Sequence, residues 1–319
     1  MQKDILHQKI HAWYQEHGRH DLPWRNTDDA YHIYISEVML QQTQVKTVLE
    51  RYYFQFLERF PTLTALAEAP LDEVLKMWEG LGYYTRARNL HACAKLAKSA
   101  LPKEYEALIK LPGIGKNTAS AICAFAYHQP LAVMEANVKR ILCRIHTLKN
   151  PSDEALRQYA LALLDEDNPY DYNQAMMDIG SQVCTVKNPD CDHCPFATIC
   201  KAYKKDDFLY PVKKSKVVPT REEKWLVKTH QNKVAMYQRK GKFLHGLWGF
   251  EKLEGAYHDR QLLGEVTQSY THFKLVAKLY HDRVSEEDEA FFNRHQIESL
   301  ALSGVDKKVI KLLIIKEIL

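Results

Sequence analysis

No stretch of this sequence is apolar for long enough to cross a membrane. The longest uncharged run, around residues 119–127, falls far short of the ~20 residues a bilayer span needs, and residues 1–10 lack the apolar core of a signal peptide. The expectation is therefore a cytoplasmic protein. Internal repeats and low-complexity tracts are absent. The clustered glutamates of a pyrophosphohydrolase box (REUxEExG) are missing too, which argues against a magnesium-dependent pyrophosphatase anywhere in the chain. A net charge of +4 is small, and points only weakly to a polyanionic partner.

What is present fits an ordinary folded chain. The 319 residues, 46% hydrophobic and 26% charged, suit two domains of ~100–200 residues each. Of seven cysteines, Cys93, Cys123 and Cys143 stand singly in helical patterns and read as small core residues. Cys184, Cys191, Cys194 and Cys200 crowd together with the spacing C-x6-C-x2-C-x5-C, and such a cluster reads as a metal site before it reads as disulfides. Zinc sites usually pair two short C-x2–4-C units, and only one occurs here. A cubane cluster asks for four thiolates from one compact loop, which this spacing permits. Iron–sulfur and zinc both remain open on spacing alone.

Helical spacing in residues 2–17 gives way to a proline turn at RHDLPWRN, and a second helix is expected over residues 31–60, interrupted near 44–47. Its middle, SEVMLQQTQV, carries Glu37, Gln41, Gln42 and Gln44, either a solvated face or a functional one. Two further helices are expected from 61 to 100, separated by WEGLGYYTRARNL. There Tyr83, Arg86 and Arg88 follow a glycine turn, as stacking and phosphate contact would ask, though core tyrosines with surface arginines would read the same.

Residues 111–145 organise what surrounds them. A helix, the turn LPGIG and a second helix imply a hairpin in which Gly113 and Gly115 can take positive φ and turn backbone N–H groups outward. That suits a phosphate gripped without reading base identity; a plain helical corner is the alternative. Glu135 precedes another helix, where the dipole favours its charge. Lys139 and Arg140 sit in the first turn of that helix, where the dipole disfavours them, which suggests an anionic partner. One or two helices follow in 152–183. YPVKKSKVVPTREE then has the composition of a linker, and beyond it the period becomes alternating, as for strands, before the tail DKKVIKLLIIKEIL closes as an amphipathic helix.

With these segments in hand, the chain resembles the adenine DNA glycosylases of the MutY type, in the helix-hairpin-helix superfamily that includes endonuclease III. The resemblance rests on LPWRN, ISEVMLQQTQV, WEGLGYYTRARNL, LPGIGKNTA, ANVKR, NQAMMDIG, the four cysteines, GLWGF and YTHF, in this order. It implies an all-α helix-hairpin-helix catalytic domain over residues 1–208 (hairpin about 105–127, [4Fe–4S] loop 184–200), a linker at 209–223 and a smaller α+β Nudix-like lesion-recognition domain at 224–319. The implied reaction is hydrolysis of the N-glycosidic bond of adenine mispaired with 8-oxoguanine or guanine, by a monomer acting on double-stranded DNA.

The resemblance also implies residue roles. Glu37 matches the general acid at adenine N7, and a second carboxylate should stabilise the sugar cation. That position, two before Asn137, holds Glu135 where the family pattern calls for Asp. Asn117 stands where bifunctional relatives carry a Schiff-base lysine, which implies a monofunctional enzyme. Leu40, Gln41, Gln42, Tyr83, Arg86, Gly113, Gly115 and Lys116 match DNA-binding positions. Trp24, Arg25 and Gln174 match the adenine pocket, and Tyr270, Thr271 and His272 match the loop that senses 8-oxoguanine. Two alternatives stand beside this reading: a lesion-binding protein in which Glu135 has disabled turnover, and a mismatch thymine glycosylase on the same scaffold.

Overall fold

Backbone contacts divide the chain into two units, Met1–Thr64 with Cys93–Ser215, and Ala65–Ala92 with Lys216–Leu319. The structure, a computed structural model, describes residues 2–212, 217–254, 260–286 and 290–319. Residues 65–92 thus group with the C-terminal part of the chain, although they lie inside the sequence span expected for the helical domain.

Among its described residues the first unit has helices, joined by turns and loops, and no strand. Asp29 caps the helix Ala30–Leu40 by accepting from the backbone N–H of Tyr31 at 2.7 Å and of His32 at 3.3 Å. Seven of its eleven residues are buried, so it is a core helix, and its polar members are conspicuous for that reason. The single helix expected over 31–60 is three, with Val45–Arg51 and Tyr53–Arg59 following. The first break falls at residues 41–44, earlier than expected. Gln41 leaves helical geometry with ψ 110° and Gln42 is left-handed at φ 59°, so the glutamines end the helix.

Helices Tyr105–Leu108 and Lys116–Tyr127 flank the LPGIG turn and form the expected hairpin. Gly113 has φ 77°, but Gly115 does not follow the expectation of positive φ: it is extended, at φ −84° and ψ 173°. A Cβ there would meet nothing within 4 Å, so the backbone at Gly115 borders open space. Ala136–His146, Asp153–Leu163 and Pro169–Gln182 complete the core. Gly180 lets the last of these close on the first, because a Cβ at 180 would lie 2.5 Å from the Asn137 Cβ. Cys93, Cys123 and Cys143 are fully buried, as expected.

The second unit combines helices with a mixed sheet. Between residues 61 and 100 there are three helices rather than two, Leu63–Glu68, Leu71–Met77 and Thr85–Ala97, the last starting early enough to include Arg86 and Arg88. The strands are β1 (Thr220–His230), β2 (Lys233–Ala235), β3 (Tyr237–Gln238), β4 (Trp248–Gly249), β5 (Glu251–Lys252), β6 (Gln261–Ser269), β7 (Lys274–Arg283) and β8 (Phe291–Phe292). They order as β6-β7-β1-β2-β8, with β5 also on β1 and β3 paired to β4. β1 and β7 run parallel, Thr220 opposite Lys274 through Thr229 opposite Arg283, and the other pairings are antiparallel. Trp225, Val227, Leu275 and Leu279 pack with Val305, Val309 and Leu313 of the helix Gly304–Ile315.

Candidate active site

Within the first unit one cleft of about 550 Å³ is lined by Trp24, Arg25, Glu37, Leu40, Gln41, Gln42, Glu135, Asn137 and Gln174, together with Arg19, Ser36, Phe125 and Ser181. Residues from sequence positions more than 130 apart are thereby brought to one wall. Glu37 stands in the last turn of Ala30–Leu40 and Glu135 at the N-cap of Ala136–His146.

The two carboxyl groups differ electrically. Burial pushes the Glu37 carboxyl from the ordinary 4.5 up to about 8; the Glu135 charge adds to the rise, and Arg25 opposes it. Glu37 is therefore largely protonated at neutral pH. Burial also raises Glu135, but Lys139, the Ala136 backbone N–H and the Asn117 side chain all favour its ionised form. The arrangement sets a proton donor beside a second carboxyl that has a cation and two N–H donors of its own, a pairing that suits acid-assisted bond breaking.

Around these groups the packing is highly specified. Trp24 is buried against Tyr53, edge to face with ring centroids 5.0 Å apart. The Arg25 side chain is 4% exposed and forks onto Asp178, itself fully buried, at 2.7 and 2.9 Å; Arg19 bonds the same carboxylate from its backbone N–H at 2.9 Å and from Nε at 2.7 Å. Gln174 is 2% exposed, and its carboxamide oxygen accepts no hydrogen bond from the described residues. Asn117 is no lining residue, but its Nδ2 donates to Glu135 Oε1 and its Oδ1 accepts from Met134 N–H at 2.6 Å. Gly113, Gly115 and Lys116 are exposed on the hairpin.

Lys139 and Arg140 correct the sequence-based expectation. Lys139 pairs with Asp153 at 2.7 Å. Arg140 donates to Asn137 Oδ1 at 2.9 Å and to the carbonyls of Cys184 at 2.7 Å and Gly180 at 2.5 Å. Both cations have partners inside the protein, which answers the dipole argument without an external anion.

A family profile described as "HhH-GPD superfamily base excision DNA repair protein" matches residues 35–166, spanning the glutamine segment, the hairpin and Glu135. An adenine DNA glycosylase of Buchnera aphidicola subsp. Baizongia pistaciae is 37% identical over 255 residues, covering 76% of this chain and 71% of the relative. That of Mus musculus is 41% identical over 212 residues, covering 61% of this chain and 41% of the relative. The chain belongs to the adenine DNA glycosylase family. Among solved structures, this family member is similar to a thermostable thymine-DNA glycosylase (26% identity, TM-score 0.59, 64% of this chain and 97% of that one). The fold also matches an endonuclease III in a DNA complex (19% identity, TM-score 0.55, 65% and 98%). No described helix of the adenine glycosylase is long and apolar enough to cross a membrane.

The four clustered cysteines of this glycosylase line one pocket with Ile141, Arg144, Val183, Phe196 and Phe208. Cys184 follows the helix Pro169–Gln182, its N–H bonded to Ile179 O at 2.7 Å, and Cys200 closes the loop with its N–H on Phe196 O at 2.9 Å. Arg144, 3% exposed, aims Nη1 at Cys184 Sγ (3.4 Å) and at Thr185 O (2.7 Å). Burial, with the neighbouring cysteines adding to it, pushes Cys191 up to about 11 and Cys194 up to about 12.

In the second unit, Tyr83, Tyr270, Thr271 and His272 line a pocket of about 480 Å³ with Lys242 and Phe243. Tyr83 is left-handed at φ 49° and 43% exposed, and its hydroxyl is hydrogen-bonded to the Thr271 hydroxyl. Tyr270 is held between Phe243 and Phe273, at centroid distances of 5.3 and 5.1 Å. Arg86 bonds the carbonyls of Leu81 and Gly82 and lies over the rings of Trp78 and Tyr83. Sequence reasoning had not singled out Asp178, Arg19, Arg144 or Asn173; Asp178 lay in view, as the aspartate of NQAMMDIG.

Proposed function

We propose that this protein is a monofunctional glycosylase that removes adenine mispaired with 8-oxoguanine or guanine in double-stranded DNA. The observation that carries the reading is the pairing in one cleft of a carboxyl that keeps its proton at neutral pH with a second carboxyl, itself raised by burial, on which Lys139, the Ala136 N–H and the Asn117 amide act in favour of the ionised form. Adenine leaves poorly as an anion. A proton delivered by Glu37 to N7 as the C1′–N9 bond breaks lets the bonding electrons depart on a neutral base. The sugar left behind carries positive charge at C1′, which the Glu135 carboxylate faces until water adds there. The Gln174 oxygen, buried and unsatisfied among the described residues, suits the exocyclic amine of adenine.

The extended backbone at Gly115 and the exposed Lys116 suit phosphate contact at the hairpin. Gln42 and Tyr83, both exposed and both left-handed, suit insertion beside the orphaned base once adenine is flipped. The C-terminal unit acts as a Nudix-like recognition module in which Tyr270, Thr271 and His272 meet 8-oxoguanine. Asn117 offers no amine for a Schiff base, so strand cleavage does not accompany base release.

The four cysteines fit a [4Fe–4S] cluster. Among the described residues no three metal-binding side chains converge tightly enough for a single ion, yet four sulfurs line one pocket with an arginine directed at one of them. Such thiols ionise most readily when a metal centre shares their charge. Cys184, Cys191, Cys194 and Cys200 would hold the cluster, which would supply structural cross-linking of the loop.

Single-turnover assays on duplexes containing 8-oxoguanine:A, G:A and G:T test the function. The reading predicts adenine release from the first two, fastest from the first, with strand breaks only after alkali. Thymine release from G:T, or binding without release of any base, would refute it.

A further inference from the structure

We propose that Asn117 is a positioning residue for Glu135 and that the two side chains are matched in length, so that this chain's longer carboxylate is held where an aspartate would lose its partner. The inference rests on the proposed reading that Glu135 faces the sugar cation.

Both ends of the Asn117 carboxamide are used on consecutive residues. Its nitrogen donates to Glu135 Oε1, and its oxygen accepts from Met134 N–H at 2.6 Å. From the other side Asn173 accepts from Val133 N–H at 2.9 Å and donates to Leu131 O at 2.9 Å and Pro169 O at 2.8 Å. The backbone entering Glu135 is thus pinned at residues 131, 133 and 134. The side chain of Glu135 has one more rotatable bond than aspartate, and its carboxylate is met by the Ala136 N–H at the helix start and by the Asn117 amide. Asn117 restricts that freedom. It is itself fixed in the first turn of Lys116–Tyr127, one turn from the buried Ser120 and Ala121.

The matched length makes a specific demand. Shortening Glu135 by one methylene withdraws the carboxylate from the amide, and lengthening Asn117 by one methylene returns the amide to it. Displacements of about 1 Å at such a group can cost ~100-fold in rate.

The test measures single-turnover adenine release by the full-length protein and its Asn117→Ala, Asn117→Gln, Glu135→Asp and Asn117→Gln/Glu135→Asp variants, with fold checked by melting. Asn117→Ala and Glu135→Asp are each expected to lose about 100-fold, and the double variant to regain about tenfold over Glu135→Asp. A second readout does not depend on activity: carbon-13 titration of the Glu135 carboxyl. Glu37, Lys139 and the Ala136 N–H also act on this carboxyl, and none of them changes in Asn117→Ala, so the Glu135 pKa should rise when only the Asn117 donor is removed. In the active enzyme the acidic limb of the rate profile should rise with it. A double variant no faster than Glu135→Asp, or a Glu135 titration unmoved by Asn117→Ala, overturns the proposal. Should the unmodified protein release no adenine, the proposed function falls, and the titration still decides the pairing.

Discussion

Arg25 lies between two carboxyl groups in opposite states. It donates to the Asp178 carboxylate at 2.7 and 2.9 Å, which holds Asp178 below the ordinary carboxylate range despite its burial, and its charge also opposes the protonation of Glu37. Asp178 therefore moderates how much of the Arg25 charge reaches Glu37.

Asp178→Asn is expected to change two measurements. Removing one member of a buried ion pair costs ~3–5 kcal/mol, which urea melts at neutral pH should read. The Asp178 contribution exists above the unfolded carboxyl value of about 3.9 and is lost as pH falls through its lower folded value, so the two proteins should converge in strong acid. The second measurement is the rate profile. An Arg25 without its counter-ion stabilises ionised Glu37, and the alkaline limb of excision should move below the unmodified protein's.

Glu37 itself sets that alkaline limb. Excision should fall as pH rises through about 8, where Glu37 loses its proton. Glu37→Gln, which offers no acidic proton, should lose about 100- to 10,000-fold in single-turnover rate. The same burial is a stability cost. Between the unfolded value of about 4.3 and the folded value of about 8, the folded state binds more protons, so stability declines with rising pH across that window. Glu37→Gln should melt higher than the unmodified protein at pH 9, and equal melting there would show that the carboxyl is not strained by burial.

The chemistry-bearing residues were more legible than the scaffold that aims them. Glu37 is visible because a charged residue interrupts a helix otherwise made for the core, and the four cysteines because of their spacing. The pairing of Asn117 with Glu135 was not legible, since the two belong to different helices and neither pattern refers to the other. Residues 65–92 lie within the span of the family profile, 35–166, as the helical reading expects, while by backbone contacts they group with the C-terminal unit. The alternation is interrupted in β6, where Gly264 has φ 146° and the register with β7 shifts between Leu262 and Gly264. Lys139 and Arg140 misled for a related reason: their partners, Asp153, Gly180 and Cys184, are fixed only by tertiary structure.

Gly180 is the closest point of approach to Asn137. A methyl group there would sit 2.5 Å from the Asn137 Cβ and 3.2 Å from its backbone, so Gly180→Ala must push the helix carrying Glu135. Overpacking of this kind costs ~1–3 kcal/mol. The loss in excision should be larger than a melt shift of that size explains, because the displaced helix begins at the catalytic candidate. A variant that melts lower yet excises at the unmodified rate would show that the helix relaxes without moving Glu135.

The cysteine loop gives a spectroscopic prediction. Purified protein should be yellow-brown with about four irons per chain, as a [4Fe–4S] site requires. Cys194→Ser should lose both the colour and the iron. Arg144 directs a hydrogen bond at Cys184 Sγ, and Arg144→Met should leave the iron bound while shifting the cluster's reduction potential upon loss of that donor. A colourless protein carrying zinc would sink the assignment.

Recognition of the oxidised base should depend on the Tyr83 and Thr271 hydroxyls, which bond each other at the rim of the C-terminal unit's pocket. Each hydroxyl can both donate and accept, so the pair can re-partner with a lesion while leaving no polar atom unsatisfied. Thr271→Val keeps the shape and removes that capacity, at the cost of one or two hydrogen bonds of ~0.5–1.5 kcal/mol each. The excision rate on 8-oxoguanine:A should fall by about tenfold, with G:A nearly unchanged, so that the two substrates draw together. Tyr83→Phe should do the same through the shared bond, and the double variant should be little worse than either single one, because both remove one interaction. Equal losses on both substrates would instead make the hydroxyl pair a structural clasp of the unit, with no part in distinguishing the lesion from guanine.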